Sequence, residues 1–410
     1  MKYFFICCLT LICLQGFAQP YIEGGKTRHR FAQLNLGLDF NYSSSNGTRT
    51  TFINSSGKTD NVALSELSQA RLVIGGTHFW GHADFFIAIP VLSFRNSEFR
   101  TGVETGMKYF PWRIEHNKIR PFIGMSFREI QFKQGEGAEM IRFKFPLLAG
   151  VNFSVKNHLF ELGSSYSFNN CGTYFYSKIQ TEKYKTNPFL FSLGYKFVIE
   201  TSLSAEKEWK SGRTKWFTDT LSALKKLNGF TLSVGPSSAF FLKPSSHNLN
   251  SIPYLDDHKV AVFPEFGLGY YFHAIDLQLN LAYRNMESEI SAYGFNQVAK
   301  RKSWTFEVFK FLFDYNGFAF FAGASAGMEE LSVTEISQQQ NSSVSTFKGI
   351  KPGLTFGWDI RPNRLQSFYL RTNLRYFPDL NVEMPDGNRH SFDQLEFNFI
   401  QLVIFPGRIF

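Results

Sequence analysis

The sequence predicts an all-β chain that folds as a transmembrane antiparallel up-and-down β-barrel of about 16 strands. Three observations favour this fold class. Apolar and polar residues alternate strictly over many segments, short and long connections alternate along the chain, and aromatic residues cluster near the strand ends. A strand that faces lipid on one side and a polar interior on the other produces this combination.

Residues 31–42 show the alternation most clearly. One face of this segment carries Leu34, Leu36, Leu38, Phe40 and Tyr42. The opposite face carries Gln33, Asn35, Gly37, Asp39 and Asn41. Successive side chains of a strand point to opposite faces, so the segment predicts a strand with one apolar and one polar side. Its length of about eleven residues suits a tilted strand that crosses a bilayer.

The same pattern recurs along the chain. It is clear in residues 140–154, 275–284 and 368–377. Weaker strands are predicted near residues 70–80, 84–91, 98–110, 119–130, 158–168, 188–199, 229–235, 259–272, 303–312, 318–328, 349–360 and 394–405. A secreted soluble β-sandwich is the alternative, but the bulky apolar face opposite charged and glycine residues favours a barrel in lipid.

The connections between these strands fall into two classes. Short ones are predicted at 81–82, 111–118, 155–156, 273–274 and 361–365. Long polar ones are predicted at 43–68, 131–139, 169–186, 236–258, 285–302, 329–348 and 378–393. Aromatic residues such as Trp112 and Trp358 lie near the short turns, and Tyr166 and Tyr283 lie near the long loops. Two aromatic girdles, with short turns on one side, are typical of transmembrane barrels.

The first residues predict a secretory signal peptide over residues 1–18. Lys2 supplies a positive charge, residues 3–14 are almost entirely apolar, and small residues at Gly16 and Ala18 favour cleavage before Gln19. A lipoprotein signal is the competing interpretation because cysteines lie in this segment, but Ile12 stands before Cys13, where a small residue is expected. Removal of the signal would leave only Cys171, which excludes an internal disulfide and a cysteine-based zinc site.

The rest of the chain divides into three predicted parts. Residues 19–199 form a first eight-strand half, residues 200–228 a periplasmic linker, and residues 229–410 a second eight-strand half. Phe217, Leu221 and Leu224 have helical spacing and predict a short helix in the linker. After Ala18, no run of 18 apolar residues exists, which excludes helical membrane spans.

Two architectures fit these halves. All strands could close one wide barrel with an aqueous lumen, or each half could close its own eight-stranded barrel. Glycines on the inward faces favour two tight barrels, at Gly102, Gly106, Gly267, Gly269, Gly323, Gly327, Gly353 and Gly357. Tandem small barrels in one chain are uncommon, which favours the single barrel.

Neither the charge nor the histidines indicate an enzyme or a nucleic-acid-binding protein. The net charge is +9, but no basic block or nucleic-acid motif is present. Asp256-Asp257-His258 is a candidate metal-binding segment, and a solvated turn explains it more simply. His390-Ser391 is a candidate catalytic pair, but neighbouring side chains point different ways along a strand. We therefore expect no enzyme activity, no metal, no cofactor and no nucleic-acid partner.

The inward polar face is the remaining candidate site. Strand parity places the following charged residues there: Arg71, Arg100, Glu104, Lys108, Arg128, Arg142, Glu161, Glu265, Asp276, Arg284, Asp359, Arg371 and Arg375. They would line a pore that favours anions, or they would pair as salt bridges that fill the interior. Parity alone leaves both alternatives open.

Several phrases resemble the outer-membrane β-barrel proteins of Bacteroidetes-type bacteria, a porin-like family. They are residues 17–19 at the signal end, 119–124, 146–151 and 192–197. The terminal Phe410 resembles the aromatic residue that such barrels present to their assembly machinery, although Pro406 and Arg408 occupy places where apolar residues are usual. The resemblance implies the outer membrane of Gram-negative bacteria, with membrane lipid, the barrel-assembly machinery and a periplasmic or surface protein as partners.

The sequence thus predicts a porin-like or transport-associated outer-membrane barrel that passes or binds small polar solutes. A closed barrel that anchors loops or a periplasmic partner is the alternative. An outer-membrane hydrolase is a third and weaker hypothesis, because His390-Ser391 is its main candidate and adjacent side chains of a strand point to opposite faces.

Overall fold

The computed structural model describes residues 31–44, 50–53, 58–62, 67–95, 99–133, 139–200, 219–315, 317–337, 342–361, 367–392 and 394–409. The predicted signal peptide, residues 1–18, lies outside these ranges, as does most of the linker. Within the linker, residues 219–223 are helical, which agrees with part of the predicted helix. All other described structure is built mainly from antiparallel strands.

Among the described residues, the amino-terminal half contains thirteen strands. They are β1 (Ala32–Ser43), β2 (Thr50–Ile53), β3 (Thr59–Val62), β4 (Leu67–His78), β5 (Ala83–Arg95), β6 (Phe99–Tyr109), β7 (Ile119–Lys133), β8 (Glu139–Lys144), β9 (Leu147–Val155), β10 (His158–Tyr166), β11 (Cys171–Phe175), β12 (Thr181–Lys185) and β13 (Phe189–Glu200). The first barrel is the ring β6-β5-β4-β1-β13-β10-β9-β7, which closes through pairing of β6 with β7. Strand β8 also pairs with β7, alongside β9. Phe145 and Pro146 separate β8 from β9.

The carboxy-terminal half forms the second barrel. Its elements are β14 (Gly229–Phe240), α1 (Ser246–Ser251), β15 (Val260–Phe272), β16 (Leu277–Ala292), β17 (Phe295–Tyr315), β18 (Phe318–Ile336), β19 (Ser342–Ile360), β20 (Phe368–Tyr376), β21 (Asn381–Glu383), β22 (Arg389–Ser391) and β23 (Leu395–Ile404). The closed ring is β14-β15-β16-β17-β18-β19-β20-β23. The predicted all-β barrel fold is therefore confirmed, with eight strands in each ring.

The preference for one wide barrel is wrong, and the alternative of two tandem eight-stranded barrels is correct. The last strand of the first ring, β13, pairs with β1, and the last strand of the second ring, β23, pairs with β14. The first and last strands of each ring thus pair with each other, so neither ring leaves an open edge of unpaired backbone groups in lipid. Glycines allow the tight interiors: a Cβ at Gly267 would lie 2.3 Å from Ser233 Oγ.

Hairpins and a short helix occupy the long-loop side. The hairpins β2–β3, β11–β12 and β21–β22 lie in segments that the sequence predicted as loops. The predicted loops 285–302 and 329–348 are instead mostly continuations of β16, β17, β18 and β19. At the tip of the β16–β17 hairpin, Tyr293 and Gly294 have φ values of 51° and 75°, the left-handed pair that a tight two-residue turn requires.

Each barrel is filled in layers. On the short-turn side, an aromatic cluster that includes Phe86, Phe110 and Phe122 fills the first barrel, and one that includes Phe309 and Phe321 fills the second. On the long-loop side, apolar side chains of the hairpins are buried in clusters with residues of the barrel strands. Those of the first barrel include Phe132, Tyr174 and Tyr184, and those of the second include Phe377, Val382 and Phe392. Charged side chains lie between these apolar layers.

The two barrels contact each other at both ends. On the short-turn side, Phe79 packs against Phe318 and Phe85 against Trp358, with ring centroids 5.0 and 5.6 Å apart. On the long-loop side, Arg142 of β8 forms an ion pair with Asp256, at 2.6 Å. No helix in the described ranges is long and apolar enough to cross a membrane.

Candidate functional site

The interior of the first barrel holds a network of buried ion pairs. Arg71 donates to both carboxylate oxygens of Asp39, at 2.8 and 2.6 Å, and also to Glu104. Arg128 donates to both oxygens of Glu104 at 2.9 Å. Inward parity on neighbouring strands brings these groups together, because the same face of every strand points into the ring.

A second group of pairs lies beside this network. Lys108 donates to Glu161, and Lys196 lies 3.5 Å from the same carboxylate. Lys196 also donates to Asp84, at 2.7 Å. All four side chains are nearly inaccessible to solvent, so each charge depends on its protein partner.

The second barrel contains a denser network centred on Arg375. Arg375 is fully buried and donates to both oxygens of Glu265, at 2.6 and 2.7 Å, and to Glu307. Arg284 and Arg301 both donate to Glu396, the latter at 2.6 Å.

Two further pairs flank this centre. Arg301 donates to both oxygens of Glu329, at 2.7 and 2.9 Å. On the short-turn side, Arg371 donates to both oxygens of Asp359, at 2.8 and 3.1 Å. Bidentate arginine–carboxylate pairs are among the strongest hydrogen-bonded contacts in proteins.

Most of the charged residues assigned to the inward face are buried in these networks. They are Arg71, Glu104, Lys108, Arg128, Glu161, Glu265, Arg284, Asp359, Arg371 and Arg375. The sequence left two alternatives for the interior, a pore lining and a salt-bridge network. In the described residues, the interior is built from paired charges.

Arg100 lies elsewhere because a β-bulge interrupts β6. The pairing of β6 with β7 shifts between Thr101 and Glu104, which inserts one extra residue and reverses the parity beyond it. Phe99 and Thr101 are buried, and Arg100 is exposed and donates to Gln131 Oε1 at 2.6 Å. The sequence prediction assumed that inward and outward residues alternate without interruption along β6, so it could not place Arg100 correctly.

Arg142 and Asp276 also differ from the predicted inward position. Arg142 is half-buried and pairs with Asp256 of the other barrel, so it joins the two halves. Asp276 lies in the turn before β16, with φ 50°, and accepts a hydrogen bond from Tyr271. A turn residue does not continue the strand alternation, which explains the second difference.

Sequence reasoning missed or misassigned several interior residues. Asp84, Arg301 and Glu396 were not selected, and Glu329 was interpreted as a strand end that leaves the bilayer. Arg301 shares the parity of Ser303 and Glu307 on β17, so extending that strand outward would have identified it. Glu329 likewise follows the buried Gly327 at a spacing of two.

A third feature is the cap over the long-loop end of the second barrel. We define the cap as α1 together with the β21–β22 hairpin. His247 of α1 contacts Asp386 Oδ2 through Nδ1 at 2.6 Å and Glu335 Oε1 through Nε2 at 2.8 Å. The hydrogen bond with Glu335 raises the pKa of His247 above its ordinary value, and the bond with Asp386 adds to this effect. This histidine therefore links the helix, the hairpin and β18.

Two further histidines are buried at the cap: His390 belongs to its hairpin, and His258 precedes β15. The rings of His258 and His390 meet edge to face, 5.4 Å apart, so the structure brings together residues from both loop segments noted in the sequence. Burial lowers the pKa of His258 to about 3 and holds that of His390 well below its usual range, which keeps both rings neutral.

His390 lies next to Ser245, the residue that precedes α1. Its Nδ1 lies 3.3 Å from Ser245 Oγ. His390 and Ser245 are 1% and 2% exposed. The described residues contain no group of three or more histidine, cysteine or acidic side chains that could hold a metal ion.

Neither a protein-family profile nor a curated protein sequence matches the chain. Several solved structures align with it at low similarity. The Ail attachment invasion locus protein of Yersinia pestis is 12% identical, with a TM-score of 0.28, and the alignment covers 43% of this chain and 97% of Ail.

Two further alignments extend over more of the chain. An outer membrane channel of Pseudomonas putida F1 is 9% identical over 93% of this chain and 98% of its own, with a TM-score of 0.20. The toluene transporter TodX of Pseudomonas putida is 11% identical over 91% and 88%, with a TM-score of 0.17. These solved structures are bacterial outer-membrane β-barrels. By its own strand topology, this chain is a tandem antiparallel β-barrel protein.

Proposed function

We propose that this chain is an outer-membrane anchor whose two filled barrels hold a protruding β-sheet and its cap outside the cell, for contact with a surface partner. The observation that carries the proposal is the extension of β16–β19 beyond the apolar band of a barrel whose interior is filled.

The outward face of the second barrel changes from apolar to charged at one level. Tyr283, Trp304, Met328 and Ile350 are neighbours in register across four strands and point outward. Two residues further along, the outward row consists of Asn285, Lys302, Glu330 and Lys348, all exposed. Such a boundary is expected where strands leave the hydrocarbon layer.

The first barrel carries a matching apolar surface. On β1, the outward residues Leu36, Leu38, Phe40 and Tyr42 are 39–55% exposed. Their partners on β13 include Leu193, which is 61% exposed. A continuous apolar surface of this kind is favourable in lipid and unfavourable in water. It supports insertion of both barrels in a membrane.

The filled interiors favour an anchor over a channel. Paired charges occupy the middle of each barrel, and aromatic or apolar layers lie above and below them. Eight-stranded barrels leave an interior just wide enough for side chains. The porin-like hypothesis needs a continuous aqueous path, which such an interior opposes.

The protruding sheet consists of the parts of β16–β19 beyond the row Asn285, Lys302, Glu330 and Lys348. Strands β17, β18 and β19 contain 21, 19 and 19 residues. About six residues of each strand lie beyond that row, which corresponds to about 20 Å of extended chain. The cap packs against the inner side through Leu331, Val333 and Met384. The outer side remains available to a partner.

The segments that resemble Bacteroidetes-type outer-membrane barrels support a more specific assignment of source and export. We propose a source among Bacteroidetes-type Gram-negative bacteria, export through a signal peptide cleaved before Gln19, insertion by the barrel-assembly machinery, and no enzymatic activity. The partner class we favour is a surface protein, because the protrusion lies on the long-loop side of the barrel.

Two measurements test the anchor. In planar bilayers, the mature protein should give no stable conductance steps, and reproducible steps would restore the channel hypothesis. In a Cys171→Ser background, Ser343→Cys should react with a membrane-impermeant maleimide on intact cells. The matched control, Ala274→Cys in the short turn, should react only after lysis. Equal labelling of both variants on intact cells would contradict the proposed orientation.

A further inference from the structure

The two barrels leave a crevice between them near the short-turn end. The first barrel contributes Leu34, Gly76 and Phe85 to its walls, and the second contributes Trp358, Leu370 and Phe399. The crevice contains about 490 Å³ of empty space, including the part that is open to the surroundings. Its walls are therefore mainly apolar and come from both halves of the chain.

The crevice opens at the depth of the apolar band. Leu34 pairs with Ile199, whose outward side chain is 41% exposed. Toward the short turns, Phe79 packs against Phe318 and Trp80 against Tyr315, with centroids 5.0 and 6.2 Å apart, so the barrels touch beyond the crevice. In a membrane, the adjoining medium at this depth is hydrocarbon.

The polar groups of the walls are almost all satisfied within the protein. Gln33 donates to Glu200 Oε2 at 3.2 Å, and Thr372 donates to the carbonyl of Phe399 at 2.9 Å. Nδ1 of His78 differs: this buried atom has no hydrogen-bond partner among the described residues. Water in the crevice would find few partners, whereas an alkyl chain needs none.

We propose that the crevice binds one acyl chain of a phospholipid from the leaflet on the short-turn side, with His78 beside an ester or phosphate oxygen of that lipid. This inference rests on the proposed membrane location. An acyl chain fills the apolar space that neither barrel closes alone, and an N–H of His78 at the crevice end supplies a hydrogen bond to the glycerol or headgroup region.

Native mass spectrometry of protein extracted from the membrane in mild detergent tests the proposal. The expected spectrum contains a species heavier by one phospholipid that persists after extensive detergent exchange. Leu34→Trp should fill the crevice and remove most of this species. Leu36→Trp provides the matched control, because Leu36 lies two residues away on the same outward face and is 46% exposed to the surroundings.

Heat-modifiable migration in gels shows whether each variant is folded, and membrane fractionation reports the location separately. A folded, membrane-inserted wild-type protein without bound phospholipid would overturn the crevice proposal and leave the anchor intact. Retention of lipid A or detergent in place of phospholipid would also overturn it. Absence from the outer-membrane fraction would instead contradict the proposed function itself.

A second variant tests the role of His78. His78→Leu keeps the apolar wall and removes the hydrogen bond, so bound phospholipid should dissociate at lower collision energy than in the wild type. Equal retention in the wild type and His78→Leu would remove His78 from the proposal. Loss in Leu370→Trp, on the opposite wall, would independently locate the lipid between the two barrels.

Discussion

At the scale of single residues, the barrel interiors show how charges are retained in a space that excludes water. Arg375 is 0% exposed, and so are its partners Glu265 and Glu307. Desolvation of each ion is costly, and only close pairing with further hydrogen bonds offsets it. Gln401 adds such a bond by donating to Glu265 Oε1 at 2.9 Å.

Removal of Arg375 should therefore destabilise the second barrel strongly. Arg375→Met leaves two buried carboxylates without their main partner, and we expect a loss of about 3–5 kcal/mol in the free energy of unfolding. Urea unfolding in lipid vesicles measures this change.

Lys300→Met provides the control, because Lys300 pairs with Glu287 at an exposed site where the effect should be about 0–1 kcal/mol. Similar losses for both variants would show that the buried network does not stabilise the fold.

At the scale of elements, β16–β19 show why strand ends are hard to locate from sequence. Past the row at Asn285 and Lys302, most outward residues are polar, and the regular apolar alternation that marks a strand in lipid disappears. The backbone pairing nevertheless continues through Ala292 and Phe295. Segments with this loop-like composition remain strands because the inner face still buries Leu331 and Val333 against the cap.

The cap is the element whose stability should depend on pH. His247 has a raised pKa, so its contribution is complete below its ordinary value of about 6.5 and is lost as pH rises through the folded-state pKa. Although burial alone would raise the pKa of Glu335, its hydrogen bonds with His247 and Gln297 lower it, so its contribution is lost only as pH falls through that lower value. The cap should thus be most stable at mildly acidic pH.

Hydrogen exchange of the α1 amides, corrected for intrinsic rates, checks this dependence. Protection should be higher near pH 5.5 than near pH 8.5, on the two sides of the histidine titration. In His247→Gln the difference should largely disappear, because that side chain does not titrate. Identical protection of the wild-type helix at both pH values would contradict the proposed role of His247.

At the scale of the whole molecule, each barrel closes on its own strands. The pairing of β14 with β23 completes the second ring without any strand from the first. The contacts between the barrels are side-chain contacts, such as Phe127 with Phe240 at 5.2 Å and Arg142 with Asp256. If these side-chain contacts were removed, the backbone hydrogen bonds within each ring would remain.

Residues 229–410, exported with a signal peptide, should consequently insert and fold alone. Folding is measured by heat-modifiable migration and by protease resistance of the membrane fraction. We expect a folded barrel that is less stable than the same half in the full chain, because the aromatic contacts with the first half are absent. A half that reaches the membrane but never becomes heat-modifiable would show that the rings depend on each other.

The sequence by itself determined the all-β barrel class, the period-two faces and most of the inward charges, because side-chain alternation is a local property of each strand. It could not determine that Arg100 lies outside, since a bulge is a feature of pairing between two strands. Nor could it decide between one ring and two. Closure depends on which distant strand ends meet, such as β13 with β1, and that choice is made by packing and backbone pairing across the whole fold.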